Sequence, residues 1–383
     1  MKKWTLMVLA CLCLFLSGCM SREVEEQLLV IVMGVDMEEN GHYTLSVKVP
    51  SNTSGGQDSS SSKEAEKGGN QMGYLTLHAS APQFARATEL LLATTPRSLN
   101  FSQVQEIVIG KKLAQSDQFP LLLQQIYALP RIRTQAIMVV CEEDAKGFVE
   151  EQKPYVGSRL SRYIEVSILN YAGKGFVPTT TLSQTLQEMG YGWRDPLLIL
   201  GALPKEETKK EDTENVLNVD VGELAPTSVN AVKLYGAAAT DGIKVSGTLT
   251  GYEMALVNLL RGHAQSLTLT DDKGFALPVY VRAPATRTVD VANSEMTLGI
   301  QLMCEVHYVA DLPPDPEQIA RQLQTEITDM VKKLQSLRCD GLGFGDIAVR
   351  RFLTIRQWED FHFREKYETA GVDVQVQVRL KRE

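Results

Sequence analysis

The residue whose neighbours most clearly prescribe a reaction is Cys19. It closes the tetrapeptide Leu16-Ser17-Gly18-Cys19, at the end of an uncharged run from Trp4 to Leu16 that follows Lys2 and Lys3. Small residues before the cysteine admit the chain to a signal peptidase, and the thiol is the nucleophile that accepts a diacylglyceryl group. The pattern looks like a bacterial lipobox. The apolar run is too short to span a bilayer, which takes about 20 residues, and fits the h-region of a secretory signal. The alternative is an ordinary signal peptide that happens to contain a cysteine. The small residues and Cys19 fall together at the end of the h-region, which favours the lipobox. Residues 1–18 are therefore expected to be removed, leaving a chain that starts at a lipidated Cys19 on the outer face of a membrane.

The remaining reactive residue types form no constellation. Cys11 and Cys13 leave with the signal, and Cys141, Cys304 and Cys339 allow at most one intramolecular disulfide. The histidines are His42, His78, His263, His307 and His362. None forms His-Glu-x-x-His, and no two share a short ligand spacing. Cys304-Glu305-Val306-His307 reads as strand, where a spacing of three puts Cys304 and His307 on opposite faces. Cys304 is thus expected as a core thiol. The glycines of Gly341-x-Gly343-x-Gly345 follow a helix, whereas a dinucleotide-binding turn must follow a strand. They are read as a helix–helix turn. No phosphate-binding or nucleophile-elbow motif occurs, and the acidic stretch Glu206–Asp212 reads as a solvated charge run. No catalytic, cofactor-binding or metal-ligating residue is expected, and the chain is not expected to be an enzyme.

The elements that carry these residues belong to a chain of average soluble composition. Of 383 residues, 44% are hydrophobic and 22% charged, with net charge −8. This excludes collagen, coiled coil, wholesale disorder and a polytopic membrane protein. It also argues against a nucleic-acid partner. Residues 1–18 hold two lysines and no acid, so their removal takes the charge to −10. Such a charge disfavours anionic headgroups, and a lipid anchor rather than a basic patch should hold the chain to a membrane.

Residues 28–36 read as a buried strand, with Tyr43, Leu45, Val47 and Val49 on an antiparallel partner. Residues 51–70 are Ser- and Gly-rich and read as a flexible loop. Helices are expected near 80–94, 117–129, 143–151 and 180–189, with strands at 104–109 and 136–141. That alternation argues a mixed layer of helices on a sheet. Residues 156–203 are a candidate small subdomain, and 205–226 an acidic linker. Beyond it, Asp241-Gly242 turns a hairpin of 229–235 and 243–249. Thr250-Gly-Tyr-Glu253 resembles a capping box. Strands are expected at 266–270, 277–282, 285–292 and 297–309, the last with Leu298, Ile300, Leu302, Cys304, Val306 and Tyr308 on one face. Ile319, Leu323, Ile327, Met330, Leu334 and Leu337 make one apolar stripe on a long helix from Asp315-Pro316 to about Arg338. A second helix through Trp358 and a Val-rich strand over 372–380 close the chain. The division expected is a signal over 1–18, an N-terminal α/β domain over 19–204, the 205–226 linker, and a C-terminal α+β domain with an antiparallel sheet over 227–383.

In order along the chain, several segments resemble the Ger(x)C family, the C-subunit lipoproteins of spore germinant receptors. They are Cys19, the stretch Arg22–Glu26, Gly34-Val35-Asp36, and Ser102–Gly110 ending in Val108-Ile109-Gly110. Val232–Tyr235, Leu249–Glu253, Cys339-Asp340-Gly341-Leu342-Gly343, Trp358 and the terminal strand complete the set. Two features depart from the family pattern. Met20 stands where the family often has Trp after the lipid Cys, and the 51–70 loop is unusually rich in Ser and Gly.

The resemblance implies a multi-domain α+β fold, with mixed and antiparallel sheets flanked by helices. It implies a non-catalytic lipoprotein without cofactor, held on the outer face of the spore inner membrane through a diacylglyceryl anchor. Its implied partners are the A and B membrane subunits of a germinant receptor, one of them permease-like. Cys19 is the one functional residue that carries over. The competing expectation from the lipobox alone is a solute-binding lipoprotein of a transport system, with two lobes around a ligand cleft.

Overall fold

The computed structural model describes residues 26–51, 73–157, 159–203, 218–224, 232–270, 276–292, 295–309 and 313–382, with Trp4 besides. Cys19 and most of the 51–70 loop lie outside the described residues. The chain opens with β1 (Gln27–Leu29), β2 (Val32–Met37), β3 (Tyr43–Ser51) and β4 (Gly73–Ala81). Then come α1 (Phe84–Thr94), β5 (Ser98–Asn100), β6 (Glu106–Gly110), α2 (Lys111–Ala114), α3 (Phe119–Tyr127) and β7 (Ile137–Cys141). The helices α4 (Ala145–Glu151), α5 (Leu160–Gly173) and α6 (Leu182–Tyr191) precede β8 (Leu197–Ala202). The second half runs β9 (Lys233–Thr240), β10 (Val245–Leu249), α7 (Gly251–Arg261), β11 (Ser266–Thr270), β12 (Ala276–Ala292) and β13 (Glu295–Tyr308). It ends with α8 (Pro316–Ser336), α9 (Phe344–Ala348), α10 (Ile355–Phe361), α11 (Phe363–Thr369) and β14 (Gly371–Arg382).

Eight strands form the main sheet in the order β10-β9-β8-β7-β6-β2-β3-β4, and β2, β6, β7 and β8 run parallel. Both faces of this sheet are covered. Met33, Ile107, Met138 and Leu198 meet Leu91 of α1, Leu122 of α3 and Leu182 of α6 in one core. Their chain neighbours Val32, Val108, Val139 and Ile199 meet Phe148 of α4 and Leu160 and Ile164 of α5 in another. Strands buried on both faces need apolar side chains at every position, hence continuous runs such as Ile-Met-Val-Val-Cys in β7.

The smaller sheet has the order β11-β12-β13-β14. In β13 Leu298, Ile300, Leu302, Cys304 and Val306 are buried, as their alternation requires. They share a core with Ile319, Leu323, Ile327, Met330 and Leu334 of α8. Asp315 caps α8 by accepting from Glu317 N at 2.9 Å, and Pro316 takes the first helical position. α7 is buried almost all round and packs between the two sheets. Thr250 and Glu253 close the expected capping box at its start.

Several expectations are corrected. The run 28–36 is two strands, because the chain changes partner at Val30 and Ile31: β1 pairs with β5 in a small parallel sheet, β2 with β3 and β6. Residues 156–203 are no subdomain, since β8 lies in the middle of the main sheet between β7 and β9. The hairpin β9–β10 joins that same sheet, so the sheet runs across the 205–226 segment, and Ala202 and Lys233 are register partners. The strands 277–282 and 285–292 are one, β12. Its register with β11 ends at Tyr280, with Val281 N still donating to Gln265 O at 2.9 Å, and bulges around Val281–Thr286 accommodate Pro284, which lacks an N–H to donate. β14 pairs parallel with β13, so the smaller sheet is mixed rather than antiparallel. The helix expected through Trp358 is two short helices, α9 and α10, the second opened by its own Thr354–Gln357 capping box, and α11 follows it.

Candidate functional site

The strongest arrangement of polar groups lies where the two halves meet. Asp195 comes just before β8, and its side chain is 2% exposed. Arg364 of α11 donates to it twice, at 2.6 and 3.2 Å, and also to Asp241 O at 2.7 Å. Asp340 N donates to the same carboxylate at 2.7 Å. Burial pushes the Asp195 carboxyl up, and the Arg364 guanidinium pulls it back. The pair is a buried two-pronged ion bridge between residues 169 positions apart.

Asp340 builds the turn that follows α8. Its carboxylate accepts from Phe344 N at 2.9 Å and Gly345 N at 2.6 Å, while full burial pushes it up to about 7. Arg261 of α7 donates to Gly341 O and Arg287 of β12 to Leu342 O, satisfying carbonyls of the turn itself. Burial pushes Arg261 down to about 10. A Cβ at Gly345 would stand 2.1 Å from Trp193 O, so glycine is what lets the turn touch the first half. The Gly341–Gly345 segment is thus the helix–helix turn expected from its place after a helix, and it is a joint rather than a ligand loop.

A second polar knot secures α4. Asp36, at the end of β2, accepts from Ala145 N at 2.7 Å and Lys146 N at 2.9 Å. A Cβ at Gly110, at the end of β6, would come within 2.2 Å of Asp36 Oδ1. These two residues end the Gly34-Val35-Asp36 and Val108-Ile109-Gly110 segments. They border an open cavity of about 560 Å³ with Glu38, Ser80, Lys112 and Lys146 on its walls. Ligands of open α/β sheets favour this strand end, but here the N–H groups at the start of α4 are already taken by Asp36. At the other end of α4, Lys48 Nζ donates to Val149 O, Glu150 O and Gln152 O, at 2.6, 3.0 and 2.7 Å. Glu106 accepts from Gln152 at 2.8 Å, and complete burial pushes it up to about 7.

Cys141, Cys304 and Cys339 are free and buried, and burial pushes all three thiols up, Cys304 to about 11. His307 meets Glu305 at 2.9 Å, while Cys304 lies in the core. Among the described residues no group of three or more His, Cys, Asp or Glu could hold a metal. Nor is any helix there long and apolar enough to cross a membrane. The one site residue expected from sequence, Cys19, lies outside the described residues. Reading the sequence missed Asp195, Arg261, Arg287, Arg364, Lys48 and Glu106. Nothing in their local spacing marks them, because their partners are remote in the chain.

Two family models match the chain. One, described as the spore germination protein N-terminal domain, matches residues 20–201, and the other, spore germination B3/GerAC like, C-terminal, matches 235–383. The chain belongs to the Ger(x)C family of spore germination proteins. It is 20% identical to the spore germination protein KC of Bacillus subtilis (strain 168), over 96% of this chain and 92% of that one. The crystal structure of the GerBC protein matches with a TM-score of 0.53 and 12% identity, covering 91% of this chain and 96% of the other. The fold is therefore that of a Ger(x)C protein, α+β with mixed sheets flanked by helices. The family is one of germination-receptor C subunits, which implies association with other receptor subunits.

Proposed function

We propose that this Ger(x)C protein is a non-catalytic lipoprotein subunit of a spore germinant receptor. It is tethered through diacylglyceryl-Cys19 to the outer face of the spore inner membrane and acts beside the A and B integral-membrane subunits in nutrient-triggered germination. The observation that carries the reading is the family match beginning at residue 20, directly after Cys19 and the apolar run that precedes it. The family match starts where the lipid would be attached. Two or more acyl chains give stable anchoring where one does not. Glu26 is seven positions after Cys19, so the chain can hold it no further than roughly 25 Å from the lipid attachment. Confinement to the membrane raises its effective concentration beside its partners without any new contact.

The solute-binding alternative calls for two lobes around a cleft. A main sheet that continues through β8 and β9, with α7 packed between the two sheets, favours a joined body instead. Cys19→Ala tests the anchor. Spores carrying it are expected to lose the protein from the membrane fraction and to respond poorly to nutrient. Normal retention with a normal response would refute the tether.

A further inference from the structure

Leu353 is the most exposed large apolar side chain among the described residues, at 95%, and Ile355 is 76% exposed. They do not stand on a loose end. Thr354 opens α10 with its capping box, and Leu353 N donates to Gln357 Oε1 at 3.0 Å. Behind them Phe352 packs on Phe361 with centroids 5.0 Å apart, and Trp358 stacks on Phe363 at 5.2 Å. Phe363 in turn stacks on Tyr367, within the core. Arg351 ties the base of the tip to β12 by donating to Val289 O and pairing with Asp290 at 3.7 Å. The tip is thus a rigid apolar point.

Its charge is opposite to that of the chain. Residues 349–358 hold Arg350, Arg351 and Arg356 and no acid. Arg350 and Arg356 are exposed, and no carboxylate among the described residues pairs with them. Glu359 and Asp360 follow a turn further along α10.

We infer that this tip enters the anionic headgroup layer of the membrane to which the chain is tethered, Leu353 and Ile355 reaching the acyl boundary and Arg350 and Arg356 meeting phosphates. The inference rests on the lipid-tethered reading. Two protruding aliphatic side chains cannot supply the roughly 800 Å² per partner of a stable protein interface. Aliphatics flanked by arginines, with a half-buried tryptophan behind, do match an interfacial anchor. The negative body is repelled by anionic lipid while this tip is attracted, so the tip would also orient the body on its tether.

The test uses the lipidated chain reconstituted into phosphatidylcholine vesicles with and without phosphatidylglycerol. Leu353→Cys carries an environment-sensitive NBD label, and Cys141, Cys304 and Cys339 are buried away from the reagent. With phosphatidylglycerol the label is expected to shift to the blue and to be quenched by brominated acyl chains. Arg350→Glu with Arg356→Glu should lower the inserted fraction at least about tenfold. Water-like emission on both vesicle types, from a chain that still floats with them, overturns the tip and leaves the tether standing. A chain that does not float overturns both. A response that appears only when the integral-membrane subunits are added assigns the tip to a protein surface and overturns the lipid assignment.

Discussion

Removing Arg364 should weaken the fold in a way that only a buried ion pair explains. The Asp195 side chain is 2% exposed, and Arg364 supplies two of its three hydrogen bonds. Breaking one partner of a buried pair costs about 3–5 kcal/mol, because the other charge is left without compensation. The Arg364 side chain is 36% exposed, so water can partly replace it, and Asp340 N remains as a donor. The lower end, about 3 kcal/mol, is the expectation for Arg364→Ala, roughly a hundredfold in the unfolding constant. Urea unfolding followed by tryptophan emission measures it. Trp193 lies at the joint and Trp358 on α10, so both sides are reported.

The loss should depend on pH with a definite sign. Without the guanidinium, the folded pKa of Asp195 rises further above its unfolded value near 4. An acid raised in this way loses stability as pH climbs from the unfolded pKa to the folded one, and by a constant amount above that. The deficit of Arg364→Ala should therefore be full at neutral pH and shrink as pH falls toward about 4. Asp195→Asn in the same background should recover most of it, since a neutral amide costs less to bury and still accepts from Asp340 N. A deficit below about 1 kcal/mol, or one that does not change with pH, refutes the buried bridge.

Two further outcomes follow from single positions. Glu106 is fully buried and pushed from 4.5 to about 7, so wild-type stability should decline as pH rises between those values, by roughly 3 kcal/mol. Glu106→Gln should flatten that decline, its amide also offering a donor to the unpartnered Gln152 Oε1; an unchanged pH profile in urea titrations would count against it. Helix propensity alone makes Gly345→Ala stabilising by about 1 kcal/mol. The Cβ would meet Trp193 O at 2.1 Å, so a loss of at least about 2 kcal/mol is expected instead, and the sign of the change in the urea midpoint decides.

Sequence reading recovered what depends on neighbours in the chain. The α8 stripe was legible because one face of a long helix is buried and the rest is wet. The caps at Thr250 and Asp315 were legible because each satisfies N–H groups within three residues of itself. Partner choice was not. Alternation in β14 says which face is buried but not which way the strand runs beside β13. The strands β9 and β10 were recognised as a hairpin, yet nothing local says that their free edge joins β8. The joint was hidden for the same reason: Asp195 and Arg364 are ordinary residues until the fold brings them together. The family resemblance at Cys339–Gly343 has its physical cause in the Asp340 turn that receives Arg261 and Arg287.

The fold spends its strongest polar groups on holding itself together. Asp36 and Lys48 fix the two ends of α4, Asp195 with Asp340 N and Arg364 fixes the two halves to each other, and Arg261 and Arg287 hold the turn that carries Asp340. The 205–226 segment then has a different meaning from that of a hinge. Its flanks, Ala202 and Lys233, are paired in one sheet, so the segment closes a loop between adjacent strands instead of separating two free bodies. Asn258 of α7 adds hydrogen bonds to Gly175 O at 2.8 Å and Val177 O at 3.0 Å, across the same boundary. A displacement imposed on the second half must pass into the first through backbone ladders and buried ion pairs, which resist bending far more than a linker does. Under the proposed reading, in which lipid holds one end, this would be the mechanical condition for relaying a push from a neighbouring subunit: a joined body that transmits the motion.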